Sequence, residues 1–114
     1  LLTAYLQTAS HGGLDTEAVQ TYAAPWRGEG GQAAFYRQIA QMNQSYTDEV
    51  EGRYGPLDCP VTLLWGAEDA WIPLETGRRV AEMLRPDRFR IVPRSGHLMQ
   101  DDAPEAIIAA LLTD

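Results

Sequence analysis

The rhythm of apolar positions along this chain changes once, between Gly52 and Pro60. Upstream, apolar residues recur at helical spacing. Downstream, short continuous apolar runs alternate with helical ones. In the upstream part, residues 1–8 predict the end of a helix, stopped by His11-Gly12-Gly13. Asp15 is an N-cap candidate for a short helix reaching Ala23, with Glu17 in its first turn. Pro25, Gly28, Gly30 and Gly31 predict a loop around Trp26. Over residues 32–46, Phe35, Ile39 and Met42 lie near helical spacing and predict an amphipathic helix. Residues 47–54 are polar and fit helix or coil.

The downstream part reads strand, helix, strand, helix. Val61-Thr62-Leu63-Leu64-Trp65 is a short β-rich run entered from a proline, as expected of a strand buried on both faces of a parallel sheet. Residues 73–84 predict a helix with Pro73 at its start, where a missing N–H costs nothing, and with Val80, Met83 and Leu84 inward. Pro86 stops it. Residues 88–92 alternate like an edge strand with one wetter face. Residues 103–112 predict a last helix, opened by Pro104, with Ile107, Ile108, Leu111 and Leu112 buried. This order implies two parallel strands in a βαβ unit. Two strands make a poor sheet, so further strands are expected from elsewhere in the protein.

Composition narrows the partners. The net charge is −7, with nine Arg and no Lys, which disfavours nucleic acid and anionic membrane surfaces. The single cysteine, Cys59, cannot form an internal disulfide and suggests a reducing cytoplasm. It precedes a proline at a strand entry and is expected to be a small buried residue. No apolar run approaches the roughly 18 residues of a membrane span. The chain opens on Leu1 without an initiator Met, which suggests an internal segment of a longer product.

Two polar residues follow the strands. Asp69 lies just past the first, where Gly66 permits a tight turn, and His97 lies just past the second, after Gly96. Ligands of open α/β sheets bind beyond the carboxyl ends of the strands. Strands about 4.8 Å apart bring two such loops within reach of each other. A carboxylate there can accept the imidazole Nδ1–H, fix the tautomer and stabilise the imidazolium.

Pro60-Val61-Thr62-Leu63-Leu64-Trp65-Gly66-Ala67-Glu68-Asp69-Ala70-Trp71-Ile72-Pro73 resembles the late strand and acid loop of the α/β-hydrolase superfamily. Arg94-Ser95-Gly96-His97-Leu98-Met99-Gln100-Asp101-Asp102-Ala103-Pro104-Glu105 resembles its histidine loop. The acid precedes the histidine, as the superfamily's chain order requires. The resemblance is close over residues 57–112. It is looser over residues 14–56, which are similar to the end of a helical cap. It implies an α/β fold: a C-terminal fragment of an α/β-hydrolase core at residues 57–114, with two parallel strands and flanking helices, after a cap-like segment at residues 1–56.

For function, the resemblance implies a hydrolase acting on an ester, amide, C–C, epoxide or carbon–halogen bond of a small apolar substrate, without a cofactor. Asp69 would be the acid and His97 the general base. The nucleophile, Ser or Asp, would stand on an upstream elbow. No Gly-x-Ser-x-Gly occurs in these 114 residues, and Ser10, Ser45 and Ser95 lack an elbow's glycines. The chain alone is therefore expected to be inactive, with the missing N-terminal part of the same protein as its natural partner and self-association as a fallback. A non-catalytic module using the same cleft to bind a small ligand or a protein is the alternative. Trp26, Trp71 and Leu98 are candidates for substrate contact, and Phe35 and Tyr36 could join them in an apolar pocket. Glu68 is a second candidate acid in a less suitable register. Asp101-Asp102 reads as a cluster at a helix N-terminus, and His11 as a solvated loop residue. Two histidines and one cysteine without ligand spacing make a metal site improbable.

Overall fold

The computed structural model describes residues 2–113. Its first helix, α1 (Leu2–Ala9), turns through residues 10–15 into α2 (Thr16–Ala23). The expected first position of that helix, Leu1, lies outside the described residues. Asp15 caps α2 as expected, its carboxylate accepting the Ala18 N–H at 2.8 Å. Leu6, Leu14 and Val19 form a small buried cluster between the two helices, with Leu2, Ala18, Tyr22 and Leu98 packed on it. Each such aliphatic side chain contributes on the order of 1.5–3 kcal/mol when fully removed from water.

The glycine-rich stretch is not the expected loop. A 3-10 turn, Ala24–Trp26, leads directly into α3 (Gly28–Ala40). The glycines serve contact rather than disorder: a Cβ on Gly31 would lie 2.6 Å from the Pro25 carbonyl oxygen, so the helix can rest on the turn only because that atom is missing. The helix also ends earlier than its apolar spacing suggests, and α4 (Ser45–Glu51) starts anew after it. The break lies where Asn43 offers its side-chain oxygen to the Ser45 N–H at 3.0 Å, a local bond that competes with helix continuation.

The strand–helix–strand–helix order is as read from the sequence. β1 (Thr62–Gly66) and β2 (Arg88–Val92) pair in parallel, from Thr62 opposite Arg88 to Gly66 opposite Val92. Between them runs α5 (Leu74–Leu84), with Pro73 as its N-cap and Arg85 closing it in the left-handed region before Pro86. β1 is half-buried rather than buried on both faces, because one neighbouring strand and one helix cannot enclose it. A short helix, α6 (Met99–Asp102), precedes α7 (Pro104–Leu112). Burial in α7 departs from expectation. Ala110 is buried, whereas Ile108, Leu111 and Leu112 are 55%, 76% and 79% exposed. A two-stranded sheet has too little surface to cover that face. Cys59 is exposed, not buried, since it lies in the bend ahead of β1 and outside the sheet.

Candidate functional site

The parallel register ends both strands at the same level, Gly66 beside Val92, so their exit loops start side by side. The Ala67 N–H continues the ladder onto the Val92 carbonyl at 2.9 Å. Beyond it, Glu68 and Ser95 are bonded twice. The Glu68 N–H donates to the Ser95 carbonyl at 3.0 Å, and the Glu68 carboxylate accepts the Ser95 N–H at 3.1 Å. Gly66 makes this approach possible, since a Cβ there would lie 2.5 Å from the Gly96 carbonyl oxygen. Arg94, at φ 56°, turns the chain just before Ser95, which is fully buried.

These loops bring Asp69 and His97 together. The imidazole Nδ1 lies 3.0 Å from Asp69 Oδ2. The other oxygen, Oδ1, accepts the backbone N–H groups of Trp71 at 2.9 Å and Ile72 at 2.8 Å. The carboxylate is thus fixed from two sides, with its side chain only 7% exposed, while the imidazole remains 34% exposed. With Nδ1 engaged, Nε2 is the nitrogen left to exchange a proton. His97 borders a depression of about 250 Å³ walled by Leu64, Trp65, Ile72 and Met99.

The aromatic candidates divide. Trp71 stacks on His97 with ring centres 5.0 Å apart, and on Tyr5 at 4.2 Å. Its indole N–H donates to the Thr8 hydroxyl at 3.1 Å, so it is held between α1 and the histidine loop. Trp26 packs edge-on against Phe35 and lines a largely apolar cavity of about 420 Å³ with Tyr5, Leu6, Ile39 and Met42. Tyr5 thus belongs to both groups and links the cavity to Trp71. Tyr36 lies on a smaller neighbouring depression of about 220 Å³. Leu98 is instead part of the cluster around Leu6, Leu14 and Val19.

Two carboxylates have partners that the sequence did not disclose. Glu68 is directed at Ser95, not at His97. Asp102 is no mere partner of a helix end: it accepts from the Ser10 hydroxyl at 2.5 Å and from the N–H groups of Gly96, His11 and Gly12 at 2.7, 2.9 and 3.2 Å. Burial pushes its carboxyl upward, but those four donors outweigh it and hold the group below the usual carboxylate range. All four donors precede or flank it through loops, so no spacing in the sequence signals them. Ser10, one of the three serines, is committed to this carboxylate. Nearby, the Tyr22 hydroxyl donates to Asp101 at 2.6 Å, which raises the phenol above its ordinary value, against the lowering effect of a bond from Gln100. Among the described residues, no group of three or more His, Cys, Asp or Glu side chains could hold a metal ion.

No protein-family model matches the chain. A hydrolase fold appears among its relatives nonetheless. The chain is similar to a protein from Bacillus subtilis (strain 168) designated an uncharacterized hydrolase, YugF, at 28% identity over 99 residues, 82% of this chain and 33% of that one. It is also similar to a protein from Caulobacter sp. (strain K31) named "Putative carbamate hydrolase RutD", at 43% identity over 54 residues, 47% of this chain and 20% of that one. The crystal structure of an α/β-hydrolase fold protein from Burkholderia ambifaria superimposes on 99% of this chain and 42% of its own length, with a TM-score of 0.94 and 49% identity. The chain therefore spans between a fifth and under half of the proteins it matches. With 99% of its residues matched by that neighbour's backbone, the chain has the α/β-hydrolase fold and makes up one portion of it.

Proposed function

We propose that this chain supplies the acid and the general base of an α/β-fold hydrolase, Asp69 and His97, and that the nucleophile stands in sequence outside these 114 residues. The observation that carries this is the carboxylate of Asp69, which offers Oδ2 to His97 Nδ1 at 3.0 Å while two backbone N–H groups hold Oδ1. Such a carboxylate keeps the imidazole in the tautomer whose Nε2 can take a proton, and stabilises the imidazolium that results. His97 would remove the proton of a serine nucleophile, or of the water that hydrolyses an ester on an aspartate nucleophile, and return it to the leaving group. Side chains alone suffice for this chemistry.

Residues 1–56 would act as a cap segment over the core portion at 57–114. The apolar cavity beside Trp26, joined to His97 through Tyr5 and Trp71, favours an uncharged, apolar substrate part there. The hydrolase names of the relatives support hydrolysis as the reaction; the superfamily resemblance implies an ester, amide, C–C, epoxide or carbon–halogen bond as the target. A cytoplasmic location agrees with the unpaired Cys59. No helix among the described residues is long and apolar enough to cross a membrane.

The experiment is turnover of an activated ester, an epoxide and a haloalkane by the full-length protein and its His97→Ala variant. The expected result is hydrolysis of at least one class that the substitution abolishes, with no turnover by the 114-residue chain alone. Hydrolysis by that chain, lost on His97→Ala, would put the nucleophile inside it and overturn the split. Hydrolysis indifferent to His97 would overturn the assignment of the base.

A further inference from the structure

We infer that Asp102 is a positioning residue for His97: its carboxylate fastens the histidine loop to the turn after α1 and so holds the imidazole against Asp69. The inference rests on the reading of His97 as general base. His97 has a tethered peptide group on each side. Before it, the Gly96 N–H donates to Asp102 Oδ2 at 2.7 Å. After it, the Leu98 N–H donates to the Ala9 carbonyl, the end of α1, at 3.0 Å. Asp102 closes the ring between these two tethers. The same Oδ2 accepts the His11 N–H at 2.9 Å, and Oδ1 accepts the Ser10 hydroxyl at 2.5 Å and the Gly12 N–H at 3.2 Å. The backbone on both sides of the imidazole is therefore tied to residues 9–12, partly through one side chain.

Charge is essential to this arrangement. Four donors converge on two oxygens, and only an ionised carboxylate is acceptor at both. The depression of its pKa by those donors agrees with a group ionised at neutral pH. An asparagine would turn an NH2 toward two of the donors and keep an acceptor for the others. None of the four donors is the imidazole, so Asp102 is not a reserve acid for His97. Its effect must pass through the loop. Trp71, stacked on His97 and bonded to Thr8 of α1, depends on the same alignment of α1 with the histidine loop.

Because a displacement near 1 Å can lower turnover about 10²-fold, losing the tie should be visible in kcat. The test compares Asp102→Ala, Asp102→Asn and Ser10→Ala in the full-length protein, below each variant's Tm. It reads kcat, KM and the downfield NMR resonance of the His97 Nδ1 proton. The expected result is a kcat reduced by about 10²-fold in Asp102→Ala with KM little changed, a smaller loss in Asp102→Asn, and the least in Ser10→Ala. The Nδ1 resonance should weaken or vanish in the same order. A folded Asp102→Ala with wild-type kcat and resonance would overturn the inference. If that variant does not fold, Asp102→Asn decides by the same two readings. If His97→Ala itself leaves turnover intact, the general-base reading fails, and the resonance still decides whether Asp102 positions the imidazole.

Discussion

Asp69 divides one carboxylate between two tasks, and the division explains why it, rather than Glu68, faces the histidine. Oδ1 is taken by the N–H groups of Trp71 and Ile72, which orients Oδ2 at His97. Glu68, one residue earlier, is spent on Ser95. A single-residue shift along the loop thus separates a group that holds the histidine loop from a group that touches the histidine. Asp69 and His97 were legible in the sequence because each sits at a fixed offset beyond a strand that its apolar run makes visible. Asp102 was not, because its partners come from the turn after α1 and no local pattern encodes that contact. Gly66 is the residue on which the loop approach depends. Gly66→Ala should destabilise the protein by about 1–3 kcal/mol, the cost of an added group in a full space, read as a lower urea midpoint. An unchanged midpoint would mean that the Ser95–Gly96 backbone can move aside.

The helices and the histidine segment are joined by ionisable contacts, and these give the elements a pH dependence. Asp102 links the turn after α1 to α6, and its pKa is depressed in the folded protein. Its contribution is therefore complete above the ordinary aspartate value of about 4 and is lost as pH falls through the depressed value. The stability difference between wild type and Asp102→Asn, followed by urea denaturation, should narrow steadily below about pH 4. A gap independent of pH would contradict the ionic character of the clamp. Tyr22 links α2 to α6 with the opposite sign. Its raised pKa gives a contribution complete below about 10 and lost as pH rises through the higher folded value. Tyr22→Phe should remove that alkaline loss. At this scale the α/β alternation, the capping of α2 and both strands were readable from spacing alone. α3 was not, since its glycines look like a loop until Gly31 is seen against Pro25. Nor was the exposure of α7, because apolar spacing gives a face and not what covers it.

Taken whole, the chain leaves much of its apolar surface open. Its radius of gyration is 16.3 Å, against about 13 Å for a compact domain of this length. Ile108, Leu111 and Leu112 stand in solvent on α7, beside a sheet of two strands. A patch of that kind drives association. The isolated chain should therefore scatter light as a species larger than 12.6 kDa, and replacing Leu111 and Leu112 together by Glu should reduce its size. A monodisperse monomer of the unsubstituted chain would contradict this. The same openness bears on the proposed acid–base pair: Asp69 and His97 meet at the ends of two strands, and on the proposed reading a third group comes from other sequence. The most direct test is the kcat of Asp69→Asn in the full-length protein. Losing the carboxylate that holds the His97 tautomer should lower kcat by about 10³- to 10⁴-fold while the fold is retained. A rate within a few-fold of wild type would contradict the assignment of Asp69 as the acid, and with it the central claim.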